Sequence, residues 1–126
     1  MKEPKLYPTR YRLISPDGAH KDFTADLKGS PGYPALREII APLLDGGASE
    51  HVSVWADFDG GRKFKALDMF VDDRGLVKRL PRNEIATEHY RRANLMGKSS
   101  APKVDNPEKL SFICGPAILF DRRVWF

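Results

Sequence analysis

The chain has 126 residues and a mass of 14.2 kDa, with Lys+Arg 21 against Asp+Glu 17, a formal net charge of +4 and a pI near 9.3. A 41% hydrophobic and 30% charged composition fits one globular domain with one core and argues against a disordered chain. No apolar run approaches the roughly 18 residues of a membrane span, the opening MKEPKLYPTR lacks the apolar centre of a signal peptide, and the lone Cys114 cannot close an internal disulfide, so a cytoplasmic, reducing setting is expected.

Residues 1–8 read as an N-terminal arm and 9–126 as a single domain. In TRYRLIS, Tyr11 and Leu13 alternate with Arg10 and Arg12, the pattern of a half-exposed strand. Pro16-Asp17-Gly18 is a turn, since proline presets φ at one corner and glycine accepts positive φ at another, and HKDFTADL returns as a second strand. After the breakers of GSPGYP, Leu36, Ile39, Ile40, Leu43 and Leu44 form one apolar helical stripe. Pro34 suits the first turn of that helix. Pro42 lacks the N–H that an interior position needs, so the helix is expected to kink or end near Ala41, stopped by Asp45-Gly46-Gly47.

HVSVWADF places Val52, Val54 and Ala56 on one strand face and Ser53, Trp55 and Asp57 on the other. Asp59-Gly60-Gly61 is a hairpin signal, FKALDMFVDD is the return strand, and Asp73-Arg74-Gly75 turns into LVKRL. PRNEIATEHYRRANLMG predicts a second helix beginning near Pro81, with a stripe of Ala86, Tyr90 and Ala93 flanked by Ile85 and Met96, a Glu88–Arg92 pair and a Gly97 cap. KSSAPKVDNPEK reads as an exposed loop near 97–109, and LSFICGPAILF as a buried strand interrupted at Gly115-Pro116. The fold class expected is α+β: a small, mostly antiparallel sheet of five or six strands packed with two helices.

The tail DRRVWF puts Trp125 and Phe126 where chain ends are usually polar. Either Val124, Trp125 and Phe126 fold back over an open edge or a helix, or they offer a sticky surface to a partner.

Chemistry is sparse. His20, His51 and His89 have no zinc spacing, and one cysteine is too few for a structural zinc site. His51 with Asp57, Asp59, Asp72 and Asp73 could meet in space, but acidic residues at hairpin ends more often form turns, so no metal and no cofactor are expected. Cys114 lies in an apolar run that favours an inert thiol. No nucleophile elbow, phosphate loop or dinucleotide fingerprint is present, and no catalytic residue is proposed. Asn83 and Thr87 stand four apart, with Tyr90 one turn on, which aligns three polar groups on one flank of the helix. The simpler account makes Asn83 an N-cap and Tyr90 a core residue; the sharper one is a polar recognition notch. Arg10, Arg12, Arg122 and Arg123 could contact phosphates, although the cations are spread along the chain and a solvated basic surface explains them more simply.

In LVKRLPRNEIATEHY and the closing SFICGPAILF, the chain resembles a family of short bacteriophage and plasmid proteins catalogued as a domain of unknown function. The positions that carry the resemblance are Gly75, Leu80, Pro81, Asn83, Ala86, Thr87 and Tyr90, then Ile113, Gly115, Pro116 and Ala117, within a match over about residues 10–121. The resemblance implies an accessory protein of a mobile element in the cytoplasm of a bacterial host, and no catalytic residues. The expected function is a non-enzymatic binding module, such as a host-defence inhibitor or host-protein modulator. Its partner would be a host protein or a small ligand, met at Asn83, Thr87, Tyr90, Arg122, Arg123, Trp125 and Phe126, with a homodimer also open. The alternative is a nucleic-acid-associated accessory protein, and a small metal-dependent hydrolase ranks third.

Overall fold

The computed structural model describes residues 5–44, 48–75, 77–96 and 112–125. Two antiparallel hairpins and a late strand make the sheet. β1 (Leu6–Ile14) pairs with β2 (His20–Lys28) from Leu6↔Lys28 to Ile14↔His20. Their turn closes because Gly18 accepts a φ of 91° while its N–H reaches the Ser15 carbonyl at 2.9 Å. β1 therefore starts at Leu6, inside the stretch expected to be an arm. β3 (Ser49–Ala56) pairs with β4 (Lys65–Asp72) from Ser49↔Asp72 to Ala56↔Lys65. The Asp57 carboxylate holds the intervening loop by accepting from the backbone N–H groups of Gly60 at 2.9 Å and Lys63 at 3.1 Å.

β5 (Ala117–Phe120) is the shortest strand and the central one, in the order β2-β1-β5-β4-β3, every pairing antiparallel. All four of its residues are buried, because both faces and both edges are covered. Of the strand expected over 110–120, the described residues 112–120 form it only at their last four positions. Upstream, Cys114 makes an isolated bridge to Arg82. Residues 77–79 form turns rather than a sixth strand.

The helices lie on opposite faces. α1 (Tyr33–Leu43) sends Leu36 and Ile40, with Leu44 just beyond it, onto Leu27, Phe70, Ile118 and Phe120. The predicted stripe is the buried one. Pro42 does not end the helix early: it sits exposed in the last turn, where its missing N–H forfeits one bond and the chain runs on to Leu43. Asp45-Gly46-Gly47, the expected stop, lies outside the described residues. α2 (Glu84–Leu95) covers the other face, with Ala86 and Tyr90 against Val52, Val54, Leu67, Met69 and Leu119. Ile85 and Met96, expected to flank that contact, are exposed. The fold class is α+β, a sheet between two helices. The 97–109 loop and the Gly97 cap lie outside the described residues, and among the described residues no helix is long and apolar enough to cross a membrane.

Candidate functional site

Asn83 is fully buried and caps α2: its Oδ1 accepts from the Ala86 N–H at 3.1 Å. Its Nδ2 donates to the carbonyls of Ile14 and Gly115, each at 3.0 Å, and its backbone N–H donates to the Ile113 carbonyl at 2.7 Å. One amide thus joins the end of β1, the start of α2 and the approach to β5. Thr87, 2% exposed, accepts from the Ile113 N–H at 2.9 Å. Tyr90 packs against the α2-face core. The chain's own 113–115 segment takes up the amide of Asn83 and the hydroxyl of Thr87, so the polar groups of the expected notch are engaged internally.

Two glycines make that close approach feasible. A Cβ on Gly75 would lie 2.4 Å from the Cys114 carbonyl oxygen, and one on Gly115, at φ 88°, would lie 2.7 Å from Leu80 Cδ1. Gly75, Asn83, Thr87 and Gly115 are therefore tied together by packing and hydrogen bonding. Cys114 is buried, and burial pushes its thiol up, away from a reactive thiolate.

The tail is held by Asp68, a carboxylate with no solvent exposure. Its Oδ2 accepts from the backbone N–H groups of Val124 at 2.7 Å and Trp125 at 2.8 Å. Its Oδ1 bonds His51 Nε2 at 2.7 Å and accepts from Arg123 Nε at 3.2 Å. Burial pushes this carboxyl up, but the donors from His51, Trp125 and Val124 outweigh it and hold it below the ordinary carboxylate range. Trp125 then stacks on His51, centroids 5.5 Å apart, and meets Phe70 and Tyr33 edge-on. Val124 is buried in the α1-face core, while Phe126 lies outside the described residues.

The arginines proposed for phosphate contact are engaged internally. Arg122 donates to Thr9 Oγ1 and to the carbonyls of Lys28, Gly29 and Arg123. Arg10 forks onto Asp59 at 2.7 and 3.0 Å and reaches Asp121 at 3.1 Å, whereas Arg12 clasps Asp22 and the Phe58 carbonyl. Both guanidinium groups also lie over the Phe58 ring. The carboxylates considered for a metal are dispersed in the same way: Asp57 holds its loop, Asp59 binds Arg10, and Asp72 accepts from Lys78 Nζ and the Arg74 N–H. Among the described residues no three metal-binding side chains converge.

A groove of about 460 Å³ lies beside α2, lined by Arg82, Glu84, Thr87, Glu88, Arg91, Arg92 and Leu95. Arg82 Nε pairs with Glu84 at 2.7 Å and its guanidinium lies over Phe112; Arg92 pairs with Glu88 and lies over Phe64. Aromatic rings thus hold two guanidinium planes, leaving a wall with three arginines to two glutamates. The helical spacing of Glu84, Glu88, Arg92 and of Thr87, Arg91 carries this signal; of these residues only Thr87 is among the candidate site residues expected from the sequence. Comparison of the chain with family models, curated proteins and solved structures returns no match.

Proposed function

We propose that this chain is a non-enzymatic binding module that docks on another protein through the α2 groove, in the mobile-element setting its resemblance implies, as a host-defence inhibitor or host-protein modulator. The observation that supports this is the groove wall: Arg82 and Arg92 are backed by Phe112 and Phe64, with Arg91 beside them. Held guanidinium planes favour bidentate contact with carboxylates at small entropic cost. The partner segment would therefore be acidic, exchanging its own carboxylates for the exposed Glu84 and Glu88.

Affinity capture from bacterial lysate with the wild-type chain, repeated with an Arg82→Glu/Arg92→Glu double variant, tests this reading. A partner retained by the first and lost by the second, confirmed with the purified partner, is the expected result. A partner held equally by both overturns the groove as the contact. The nucleic-acid reading has weaker support, because Arg122 is committed to Thr9 and three backbone carbonyls, and Arg10 and Arg12 tie separate segments of the sheet together through Asp59, Asp121 and Asp22, whereas the carboxylate partners of Arg82 and Arg92 are near neighbours in sequence. It would revive only on DNA or RNA affinity that falls steeply with salt.

A further inference from the structure

The two edges of the sheet are finished differently. At the β3 edge, Ala48 accepts from the Asp73 N–H, so antiparallel alternation turns the backbone groups of Ser49, His51, Ser53 and Trp55 outward. There the Trp55 carbonyl takes a bond from Arg92, and α2 packs against the strand. Among the described residues β2 is bonded on one side only, to β1, and His20, Lys21, Asp22, Thr24, Asp26 and Lys28 are all exposed.

The orientation of that edge follows from the turn. Ser15 N–H donates to the Ala19 carbonyl at 2.8 Å, so the bonded pairs alternate as Leu13–Lys21, Tyr11–Phe23, Thr9–Ala25 and Tyr7–Leu27. The N–H and C=O groups of His20, Asp22, Thr24 and Asp26 then point away from β1. A two-fold pairing of this edge with itself brings these outward groups together when it is centred on a residue of β2, and the longest overlaps are those centred on Phe23, Thr24 or Ala25. Centring on Thr24 sets Asp22 against Asp26 twice, a repulsive arrangement. Centring on Ala25 leaves only Thr24 against Asp26 with free outward groups, because its outer pair, Asp22 with Lys28, draws on a Lys28 carbonyl that already accepts from Arg122 at 2.9 Å. Centring on Phe23 sets Asp22 against Thr24, His20 against Asp26 and Lys21 against Ala25, with no like charges opposed.

An aromatic row leads to the same centre. Phe120 and Tyr11 stack at 5.6 Å and Tyr11 and Phe23 at 5.2 Å, with interplanar angles of 26° and 12°. The row crosses β5, β1 and β2 and stops at half-exposed Phe23, on the open edge. Lys21, a residue type that commonly guards an edge, instead lies over the Phe23 ring at 5.3 Å.

We infer that β2 pairs antiparallel with β2 of a second copy of this chain in the register centred on Phe23, joining the two sheets and continuing the aromatic row through the two-fold axis. Phe23 would face its own copy at a non-hydrogen-bonded position, where side chains approach most closely. The inference is independent of the α2 groove.

Sedimentation of the full chain from about 1 to about 300 µM, the range in which an edge-paired dimer of micromolar affinity populates both states, should show a concentration-dependent monomer–dimer equilibrium. Thr24→Pro removes an outward N–H without touching a bond to β1, and Thr24→Asp opposes Asp22 of the other copy; each should weaken dimerisation about tenfold or more. The second variant serves if the first fails to fold. Under mild oxidation Phe23→Cys should give a covalent dimer, whereas Thr24→Cys and Ala25→Cys, the centres of the other registers, should not. A monomer across the whole range, a dimer indifferent to both Thr24 variants, or cross-linking through position 24 or 25 rather than 23 overturns the inference.

Discussion

Asp68 and Asn83 are both polar, both devoid of solvent exposure, and both bind chain segments distant in sequence, but they do so on different terms. Asp68 accepts only, and it needs its negative charge to gather two backbone N–H groups, His51 and Arg123 around the C-terminal tail. Asn83 both donates and accepts without charge, serving two carbonyls and one N–H at the junction of β1, α2 and the approach to β5. A charge-dependent latch can be released by protons; an amide junction cannot. The same degree of burial therefore confers two different sensitivities.

Removing the latch should have the largest effect. Asp68→Ala strands the buried Val124 N–H, the half-buried Trp125 N–H and a paired histidine, and urea unfolding should show a loss of about 3–5 kcal/mol. Asn83→Ala should cost slightly less, about 2–4 kcal/mol, because two carbonyls and one N–H lose neutral partners. Asn83→Asp sharpens the contrast. A carboxylate facing the Ile14 and Gly115 carbonyls must have a raised folded pKa, so its destabilisation should be eased as pH falls, opposite to the trend at Asp68.

The pH profile of the wild type has a histidine limb and a carboxylate limb. His89 is held down to about 4, first by burial and then by the neighbouring Arg92. The unfolded chain therefore binds the extra proton between the ordinary value near 6.5 and about 4, and stability is lost as pH falls through that window. His89→Leu should flatten this part of the melting-temperature profile, removing a dependence of up to about 3 kcal/mol. Asp68 and Asp72 are both held below the ordinary carboxylate range, so their stabilisation is present above about pH 4 and disappears as pH falls through their lower folded values. That acid limb should persist in His89→Leu and lose most of its Asp68 share in Asp68→Ala.

Gly75→Ala tests the packing around the Asn83 junction. Its Cβ would press on the Cys114 carbonyl, and a loss of about 1–3 kcal/mol is expected in thermal or urea unfolding. The smallest effect belongs to the groove rim, where Glu88→Gln breaks an exposed helical ion pair and should change stability by less than about 0.5 kcal/mol. A large effect there would mean that the groove wall supports the fold rather than a partner.

Periodicity made the two hairpins, both helices and their buried stripes legible, because alternation and helical spacing are local properties of the chain. It also marked Asn83 as an N-cap, the simpler account of that residue. It could not distinguish an amide that only caps from one that also bonds Ile14 and Gly115, since those partners are 69 and 32 residues away. Alternation places Asp68 only within a strand, although a lone carboxylate between Leu67 and Met69 in a buried strand is a sign that buried donors converge on it. The placement of the last strand at the centre of the sheet had no local signature at all. Strand order depends on which edges meet when two hairpins and a four-residue strand collapse together, and an apolar run is equally at home beside either of them. Local patterning thus announced most elements and the faces they bury, while the segments those faces join emerged only in the folded core, because long-range pairing depends on the shape and hydrogen-bonding needs of the assembled chain.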